Sequence, residues 1–553
     1  MTLPRTATAI LAAVPLLVLV SGSPAQAQPR LPLIGSVVPG LERAVRTGAE
    51  QDSTRVQLAV SLRLRDEAGL DRLLADQAAG RAGYLTPEQF RDRFAPGQAE
   101  VDRVANYLRG QGLTVSGQSA NRLSLTVSAT AGQVRDTFGT TLSRWQDSLL
   151  HREFIAPESA PLLPVDLIGL VSDISGLDQH YVAQHRDSAP VAEPRQVGSG
   201  PAGGYTPAEL RSGYNLNTVL GTDQDGAGQS LAVLAYGRYE QANIDTFTRN
   251  YALNASTPVH KPISGGGDAT STAQAETELD IEVAQAIAPK AALTVYSAPN
   301  TAAGEIDMWN AVVADKVPVV SLSWGLCEYD RSPGSMAAVD AVAKQAAAQG
   351  MTIFAPSGDA GAYDCERDAN TTHAADLAVD FPGSSPYVTS VGGTRLTLDA
   401  NGARSAETAW NQGGGWAGGG GESTVFDRPS WQPGTGKRQV PDVSATASGG
   451  QYSVYRQGKW GTSGGTSAST PLWAGLLTLV NQRAAASGQP PVGTLNPKLY
   501  ALAGRGLHDI TEGENRHYPA ATGYDMATGW GSPDGQALTD ALINPLSRLL
   551  HGR

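Results

Sequence analysis

Apolar positions in the N-terminal third of the chain follow both the two-residue period of strands and the longer period of helices. Alternating apolar residues predict one strand at 53–65 and another at 123–127. The helices predicted here are at 68–78, from Thr86 with Pro87 in the first turn, at 98–111 and at 131–138. This order of strands and helices favours a small α+β sandwich of the ferredoxin-like type.

After residue 205 the apolar stretches become short and continuous, and helical patterns separate them. The predicted strands lie at 230–235, 293–296, 319–323, 352–355 and 387–391. Strands that alternate with helices in this way predict an α/β fold with a doubly wound, mostly parallel sheet.

Two segments lack both patterns. Arg5 precedes an apolar run at 9–20 that is too short to span a bilayer, and residues 25–27 offer a small-x-small cleavage site. Residues 1–27 are therefore predicted to be a signal peptide, which makes the protein secreted and extracellular. Residues 187–204 are rich in Pro, Gly and Ser, and we expect an exposed linker that proteases can cut.

A helical pattern at 273–289 carries two acids on its apolar side. At about 100° per residue, Glu276 and Asp280 fall within about 60° of Val283 and Ile287. The sequence therefore predicts that two carboxyl groups, one helical turn apart, are buried together.

The other polar residues of this helix, Glu278, Glu282 and Gln285, are predicted to lie on the opposite side and to face water. Burying two carboxyl groups is costly unless they are paired or functional. A basic partner is one explanation for either acid, but two acids together favour catalysis. Coupled acids share protons, so one can act as a base while the other orients it.

Residues 464–471 contain a Gly-Thr-Ser-x-x-x-Pro motif that opens a strongly apolar helical pattern. Subtilisin-type peptidases place their nucleophile in such a motif, and Ser467 is therefore a candidate nucleophile that needs a base. A histidine base is expected in a His-Gly-Thr context, and none of the eight histidines has it. The carboxyl pair is the candidate base.

A third acid, Asp359, follows a short apolar strand at 351–355 in the sequence Gly-Asp-Ala-Gly. Functional side chains gather at the carboxyl ends of strands in α/β sheets. An aspartate in a tight turn is also a common turn-forming residue, and Asp359 taken alone would be assigned that role.

Together these motifs resemble the signature of the sedolisin, or serine-carboxyl, peptidases, and the kumamolisin-like branch is the most similar. Further blocks that resemble the family, in family order, lie at 205–211, 321–325, 429–432 and 440–443. The resemblance implies a subtilisin-like fold in which Ser467 is the nucleophile and Glu276 the general base. It also implies that Asp280 orients Glu276 and that Asp359 belongs to the oxyanion hole. A protonated carboxyl stabilises an oxyanion, so acid activity is expected.

The same resemblance assigns domains. It implies an activation propeptide at 28–186 that blocks the cleft, self-processing of the zymogen within 187–204, and a catalytic domain at 205–553. A stand-alone binding module would show the same strands and helices in the N-terminal region. A further glutamate of some kumamolisins aligns with Ala235, so we expect that extension of the acid network to be absent.

The resemblance also implies one structural calcium ion near the C-terminus. In the family, two aspartates and backbone carbonyls bind Ca²⁺, and the corresponding residues here are Asp509, Ile510, Ala521, Gly523 and Asp525. Oxygen ligands without His or Cys suit this ion. The alternative is that the aspartates cap turns.

Two cysteines, Cys327 and Cys365, follow strands that are expected to end at the same edge of the sheet. This placement is compatible with a disulfide, which would persist in an exported protein. Two free thiols are the alternative.

The net charge of −12 and the lack of a basic stripe interleaved with aromatic residues disfavour nucleic acids and anionic membranes as partners. Protein or peptide substrates and its own propeptide are the expected partners of a monomer. Two other hypotheses remain open: a subtilisin-like peptidase with an unrecognised histidine, and a non-catalytic surface protein. The kumamolisin-like pattern favours endopeptidase over tripeptidyl-peptidase action.

Overall fold

The structure is a computed structural model that describes residues 29–147, 152–180, 182–183, 197–217, 224–366 and 373–543. The predicted signal peptide and residues 187–196 of the predicted linker lie outside these ranges. Within them, no helix has both the length and the apolar character that crossing a bilayer requires.

Among the described residues the N-terminal domain contains four α-helices, and all four start within one residue of the predicted positions. Its elements are β1 (Arg30–Pro32), β2 (Val45–Ala49), β3 (Arg55–Leu62), α1 (Glu67–Ala78), α2 (Pro87–Phe94), α3 (Gln98–Gly110), β4 (Thr114–Gln118), β5 (Ser124–Thr130), α4 (Ala131–Phe138), β6 (Leu142–Gln146), β7 (Glu153–Pro157), β8 (Leu162–Pro164) and β9 (Val171–Ser175). Capping boxes at Thr86 and Thr130 explain where α2 and α4 begin.

Four strands of this domain form an antiparallel sheet in the order β4–β5–β3–β9. This is the strand order of the ferredoxin-like sandwich, so that prediction is confirmed. Buried residues of α3 and α4, such as Val104 and Phe138, pack with Leu58 and Val127 of the sheet. The domain therefore has a hydrophobic core of its own.

The C-terminal domain is built on a large sheet with helices on both faces. Its elements are α5 (Pro207–Gly213), β10 (Ser230–Ala235), α6 (Gln241–Asn250), β11 (Val259–Pro262), α7 (Ser271–Ile287), β12 (Ala292–Ser297), α8 (Ala302–Asp315), β13 (Val319–Leu322), β14 (Leu326–Cys327), α9 (Pro333–Ala348), β15 (Thr352–Pro356), β16 (Asp380–Phe381), β17 (Thr389–Leu398), β18 (Arg404–Ala409), β19 (Asn411–Gly413), β20 (Trp416–Ala417), β21 (Gly421–Asp427), β22 (Lys437–Val440), β23 (Val443–Thr446), β24 (Tyr452–Arg456), β25 (Lys459–Ser463), α10 (Thr466–Ala486), α11 (Asn496–Leu502), β26 (Leu507–His508), β27 (Ser532–Pro533) and α12 (Gly535–Ile543).

The sheet runs in the order β11–β12–β10–β13–β15–β17, and both β18 and β23 pair with β17. Every pairing in it is parallel except β17–β18. The prediction of a doubly wound, mostly parallel sheet is confirmed. The predicted strand at 387–391 begins later and extends to Leu398, because its second half pairs with β18 and β23.

Alternate residues of the central strand β10 point into two separate cores. Leu231 and Val233 belong to the cluster that includes α7 and α10. Ala232 and Leu234 belong to the cluster that includes α8 and α9. Burial on both faces explains why the sequence of this strand is continuously apolar.

The N-terminal domain docks on the face of the sheet that α8 and α9 cover, and we call this surface the α8–α9 seat. Phe90 of α2 belongs to the same buried cluster as Trp309 of α8 and Val339 of α9. Asn121 donates from Nδ2 to Oδ1 of Asn310 at 2.7 Å and to Oε1 of Gln345 at 2.6 Å. The seat therefore combines apolar burial with fully buried hydrogen bonds.

Charged groups border the seat. Lys344 of α9 lies 2.7 Å from Glu67 and 3.1 Å from Asp71 of α1. The backbone amide of Leu85 donates to the carbonyl of Ala348 at 2.8 Å. These contacts fix α1 and the following turn against the C-terminal end of α9.

The described end of the predicted linker is folded rather than exposed throughout. Gly200 and Gly204 are buried, and the amide of Gly198 donates to the carbonyl of Gly203 at 2.8 Å. Val197 packs against the core that contains α7 and α10. Pairing of Tyr205 with the start of β24 holds this stretch on the C-terminal domain.

Candidate active site

The serine motif forms the start of α10. Gly465 precedes the helix with a φ of +96°, and a Cβ at this position would lie 2.8 Å from Oδ2 of Asp359. Glycine is therefore required both for the backbone conformation and for the close approach. Ser467 lies in the first turn of the helix and is 3% exposed. The free amide groups of a helix N-terminus favour negative charge nearby.

A second serine joins the nucleophile candidate to the acid helix. The hydroxyl oxygen of Ser323, directly after β13, lies 2.5 Å from Oδ1 of Asp280 and 3.0 Å from the carbonyl oxygen of Ser467. The hydroxyl of Ser467 in turn donates to the carbonyl of Ser323 at 3.2 Å. In the described part of the chain this is the only hydrogen bond of the Ser467 hydroxyl, so no described histidine is its partner.

The Ser323 hydroxyl has one proton, yet two acceptors face it. Both short contacts are satisfied if Asp280 is protonated, because Asp280 then donates to Ser323 and Ser323 donates to the Ser467 carbonyl. Burial raises the pKa of Asp280 well above its usual range, and the neighbouring charge of Glu276 raises it further against the hydrogen bond from Ser323. Geometry and electrostatics thus agree on a neutral Asp280.

Glu276 lies one helical turn before Asp280 on the same face of α7, and it is 2% exposed. The two carboxyl groups interact electrostatically. When Asp280 holds the proton of the pair, Glu276 is the member that remains available as a base.

Asp359 lies beside the serine from the neighbouring strand end. Its Oδ1 accepts hydrogen bonds from the amide of Thr466 at 2.8 Å and from the hydroxyl of Thr466 at 2.7 Å. Its Oδ2 faces the Cα of Gly465. These contacts place the carboxyl group against the residue that immediately precedes Ser467.

The glycine-dense segment at 413–421 supports the turn that carries Asp359. The amide of Ala417 donates to the carbonyl of Asp359 at 3.1 Å, and the amide of Gly419 donates to the carbonyl of Gly358 at 2.7 Å. A Cβ at Gly419 would lie 1.8 Å from the carbonyl oxygen of Ser357. Glycine is needed here because two backbones meet.

The prediction that Glu278, Glu282 and Gln285 face water is wrong. They lie on the side of α7 opposite Glu276 and Asp280, but all three are at most 2% exposed. The α6 helix and the β24–β25 hairpin cover this side of α7. The hairpin's amides of Gln457 and Tyr455 donate to Glu278 and Glu282, each at 2.9 Å.

Glu278 is saturated with donors. Its Oε1 accepts from the amide of Glu240 at 3.1 Å, from Asn243 at 2.7 Å and from Gln274 at 2.8 Å, while Oε2 accepts from Gln457. Glu282 accepts one backbone hydrogen bond, and burial raises its pKa well above its usual range. These acids fasten the hairpin to the helix.

The structure brings the predicted catalytic residues together at one edge of the C-terminal domain's large sheet. Asp280 meets the Ser467 segment through Ser323, Glu276 adjoins Asp280, and Asp359 adjoins Ser467 through Thr466. The roles of Ser323 and Thr466 were missed in the sequence. Ser323 had a usable signal, since it directly follows a buried strand at the same edge as Asp359.

The predicted calcium ligands converge on one loop. Oδ2 of Asp509 accepts from the amide of Gly523 at 2.9 Å, and Oδ2 of Asp525 accepts from the amide of Ala521 at 2.8 Å. Two carboxyl groups therefore meet the 521–525 loop from both sides, and Ile510 beside them is buried. An all-oxygen set of this kind fits a hard cation such as Ca²⁺.

The two cysteines are joined. Cys327 and Cys365 form a disulfide with a Cα–Cα distance of 5.2 Å, which confirms that pairing. Cys327 ends β14, which pairs with β16. The bridge thus ties the loop after β13 to the segment after Asp359.

A serine at the start of a buried helix, beside carboxyl groups in place of histidine, defines a serine-type peptidase on a subtilisin-like sheet. Comparison with known proteins agrees. Residues 42–180 match the Pro-kumamolisin activation domain, and residues 263–496 match the Subtilase family. Kumamolisin from Bacillus sp. (strain MN-32) is 34% identical over 544 residues, which cover 92% of this chain and 95% of that protein.

Sedolisin from Pseudomonas sp. (strain 101) is 32% identical over 552 residues, covering 93% of this chain and 89% of that protein. The solved structure of Pseudomonas sedolisin complexed with two molecules of pseudo-iodotyrostatin superposes with a TM-score of 0.56 at 30% identity, and it covers 63% of this chain and 100% of that chain. The chain belongs to the sedolisin, or serine-carboxyl, peptidase family, and it carries an N-terminal activation domain.

Proposed function

We propose that this protein is a secreted, acid-active serine-carboxyl endopeptidase that is made as a self-processed zymogen and hydrolyses peptide bonds through an acyl-enzyme on Ser467. The observation that carries the proposal is the Ser323 hydroxyl, which lies within hydrogen-bond distance of both Asp280 and the Ser467 carbonyl. It links the buried acid pair to the nucleophile candidate without a histidine.

Glu276 acts as the general base in this mechanism. It takes the proton of the Ser467 hydroxyl as the oxygen attacks the substrate carbonyl, and it later gives that proton to the departing amine. Water then attacks the acyl-enzyme with Glu276 again accepting a proton, and Ser467 is regenerated. Asp280 stays neutral and orients Glu276, because burial disfavours a second negative charge on α7.

Asp359 donates a hydrogen bond to the oxyanion of the tetrahedral intermediate. The carboxyl group lies against Thr466, the residue before Ser467, and its protonated form would supply the donor for the oxyanion. An ionised carboxylate would repel the oxyanion. The need for a protonated carboxyl group favours activity in acid.

One Ca²⁺ ion, held by Asp509, Asp525 and the carbonyls of Ile510, Ala521 and Gly523, would stabilise the C-terminal loops without taking part in the chemistry. The convergence of both aspartates on the 521–525 loop supports this. Removal of calcium should lower the melting temperature of the full chain, and an unchanged melting curve would exclude the site.

The N-terminal domain is the intramolecular inhibitor, and protein or peptide substrates replace it after cleavage within 187–204. The large buried contact on the α8–α9 seat supports this role. The enzyme is further proposed to be monomeric and extracellular and to bind neither nucleic acid nor membranes. The negative net charge of −12 is in keeping with them.

The test follows processing and peptide cleavage between pH 2 and 8. Full-length Ser467→Ala and Glu276→Ala should fold and remain uncleaved, while the wild type should mature and cleave a peptide library only in acid. Ser469→Ala is the matched control, since this serine lies in the same motif but bonds to the carbonyls of Ala445 and Thr446. Unaided maturation of either active-site variant would refute self-processing by this site.

A further inference from the structure

A side-chain clamp holds the backbone of the chain where the N-terminal domain ends. The amide of Ala183 donates to Oδ1 of Asn300 at 2.9 Å, and Nδ2 of Asn300 donates to the carbonyl of Ala183 at 2.9 Å. One side chain thus satisfies both main-chain groups of a single residue, as an edge strand does for its neighbour. The contact involves only main-chain groups of the bound residue, so it is compatible with any side chain on an extended peptide.

Asn300 is fixed in position before any peptide arrives. It lies between β12 and α8, where the amide of Thr301 donates to the carbonyl of Pro299 at 2.8 Å and closes a tight turn around Asn300. The Thr301 hydroxyl oxygen then caps α8 by accepting from the amide of Gly304 at 3.1 Å. A preorganised clamp loses little entropy when it binds.

The clamp lies at the same edge of the sheet as the active site. β12 pairs with β10, and β10 pairs with β13, whose carboxyl end leads to Ser323 and Trp324. Ala183 is 3% exposed and shares a buried cluster with Ala298 and Trp324. The bound residue therefore belongs to the buried cluster that extends from the α8–α9 seat to Trp324 at this edge of the sheet.

We propose that Asn300 is a substrate-binding residue that grips the main chain of extended peptides on the acyl side of the scissile bond. This inference rests on the proposed peptidase function. Ala183 precedes the linker at 187–204 in which maturation is proposed, so it lies on the acyl side of any bond cut there. In the zymogen the clamp holds the enzyme's own chain, and in the mature enzyme it holds a substrate residue several positions before the scissile bond.

The test uses peptides with one scissile bond and a constant leaving side, lengthened residue by residue on the acyl side. For wild-type enzyme matured from the full chain, kcat/KM should rise at the length that reaches the clamp. Asn300→Ala should lose that rise, by about 10-fold for two main-chain hydrogen bonds, and should cleave the shortest peptides normally. An equal loss at every length, or no loss, would overturn the proposal.

Asn300→Asp gives a signature that a merely structural role would not produce. The aspartate keeps an acceptor but has a donor only when protonated, so the defect on long peptides should shrink as the pH falls through about 4. Asn310→Ala is the matched control, because Asn310 bonds the N-terminal domain through Asn121 on the α8–α9 seat. It should weaken binding of that domain and leave the dependence of kcat/KM on peptide length intact.

A measurement without catalysis separates this proposal from the peptidase function. In the full-length Ser467→Ala protein, hydrogen exchange of the Ala183 amide should be slow, and Asn300→Ala should accelerate it. If the wild type cleaves no peptide, the proposed function fails, and the exchange result alone decides whether the clamp holds a main chain. Fast exchange in the protein that retains Asn300 would overturn the clamp.

Discussion

The two faces of α7 carry two pairs of buried acids that differ in what surrounds them. Asp280 contacts the hydroxyl of Ser323 at the sheet edge, Glu276 lies one turn away on the same side of the helix, and Oδ2 of Asp280 has no hydrogen-bond partner among the described residues. Glu278 and Glu282 face the β24–β25 hairpin, and Glu278 accepts four hydrogen bonds. Burial is the same on both faces.

The difference distinguishes the proposed reactive pair from the structural pair. Fixed amide donors bind both carboxylate oxygens of Glu278, so this carboxylate has no proton to give and no position free to accept one. Asp280 meets the hydroxyl of Ser323, which can either donate or accept, so this contact does not require Asp280 to be charged. The proposed reactive pair and the structural pair therefore differ in the kind of hydrogen-bond partner and not in the burial of their carboxyl groups.

The largest expected effect separates the two faces by activity. Glu276→Gln removes the base without changing the shape of the side chain, and kcat should fall by about 10³-fold or more. Glu278→Gln should change kcat only a few-fold, because its face touches no reacting group. Steady-state kinetics of matured protein would measure both, and a comparable loss in Glu278→Gln would erase the distinction.

Substitutions on the two faces of α7 should affect the free energy of unfolding in the opposite order, with the larger loss at Glu278. Glu278→Ala orphans several buried donors and should lower the free energy of unfolding by about 2–4 kcal/mol. Asp280→Asn keeps the hydrogen bond to Ser323 and should cost less than about 1 kcal/mol. Urea unfolding in the Ser467→Ala background, which prevents self-digestion, tests this; equal costs would contradict the division into structural and functional pairs.

Acids with raised pKa values make acid the stabilising condition. Burial raises the pKa of Asp280 and Glu282, and it raises that of Asp340 on α9 to about 6. Such groups contribute stability that is fully present below the unfolded pKa, near 4, and is lost as the pH rises through the folded pKa. Unfolding of the Ser467→Ala chain should therefore show a decline between about pH 4 and 6, on the order of 2–3 kcal/mol for Asp340 alone.

The control for that decline is Asp340→Asn, which cannot titrate and should flatten this part of the curve. Glu282→Gln should likewise weaken the decline, because burial raises the pKa of Glu282 as well. Stability that rises with pH in the wild type would show that these acids are charged when folded.

The smallest expected effect concerns Asp359, which lies outside α7. Asp359→Asn retains an acceptor for Thr466 and a donor for the oxyanion at any pH, so activity should fall less than about 10-fold and extend to higher pH. A pH–rate profile of matured protein measures the shift. An unchanged profile would assign the pH dependence to the α7 pair instead.

The sequence predicted elements better than it predicted what covers them. β10 and α4 occupy the predicted residues, since strong apolar patterns and a capping box fix them locally. The angle between Glu276 and Glu278 around α7 was also predictable. The burial of Glu278 was not predictable, because the β24–β25 hairpin that covers it lies far along the chain. A helical period shows which way a side chain points but not which element packs against it.

The sequence predicted which residues belong to the site, but it did not predict the hydrogen bonds that connect them. Motifs indicated Ser467 and Asp359, but no sequence period links Ser323 to Asp280. Their contact depends on how α7 packs against the segment that follows β13, which the tertiary fold decides. The register of strand ends at one sheet edge is the feature that would have suggested Ser323.

The seat of the N-terminal domain lies on α8 and α9, whereas the proposed base and nucleophile belong to α7 and α10 on the other face of the sheet. The surface that holds the N-terminal domain is therefore separate from the proposed reacting groups. Substitutions at Asn310 or Gln345 can loosen or tighten the inhibitor's grip without disturbing the reacting groups. Substitutions on the seat can therefore change how long the zymogen stays inactive while the proposed reacting groups keep their positions.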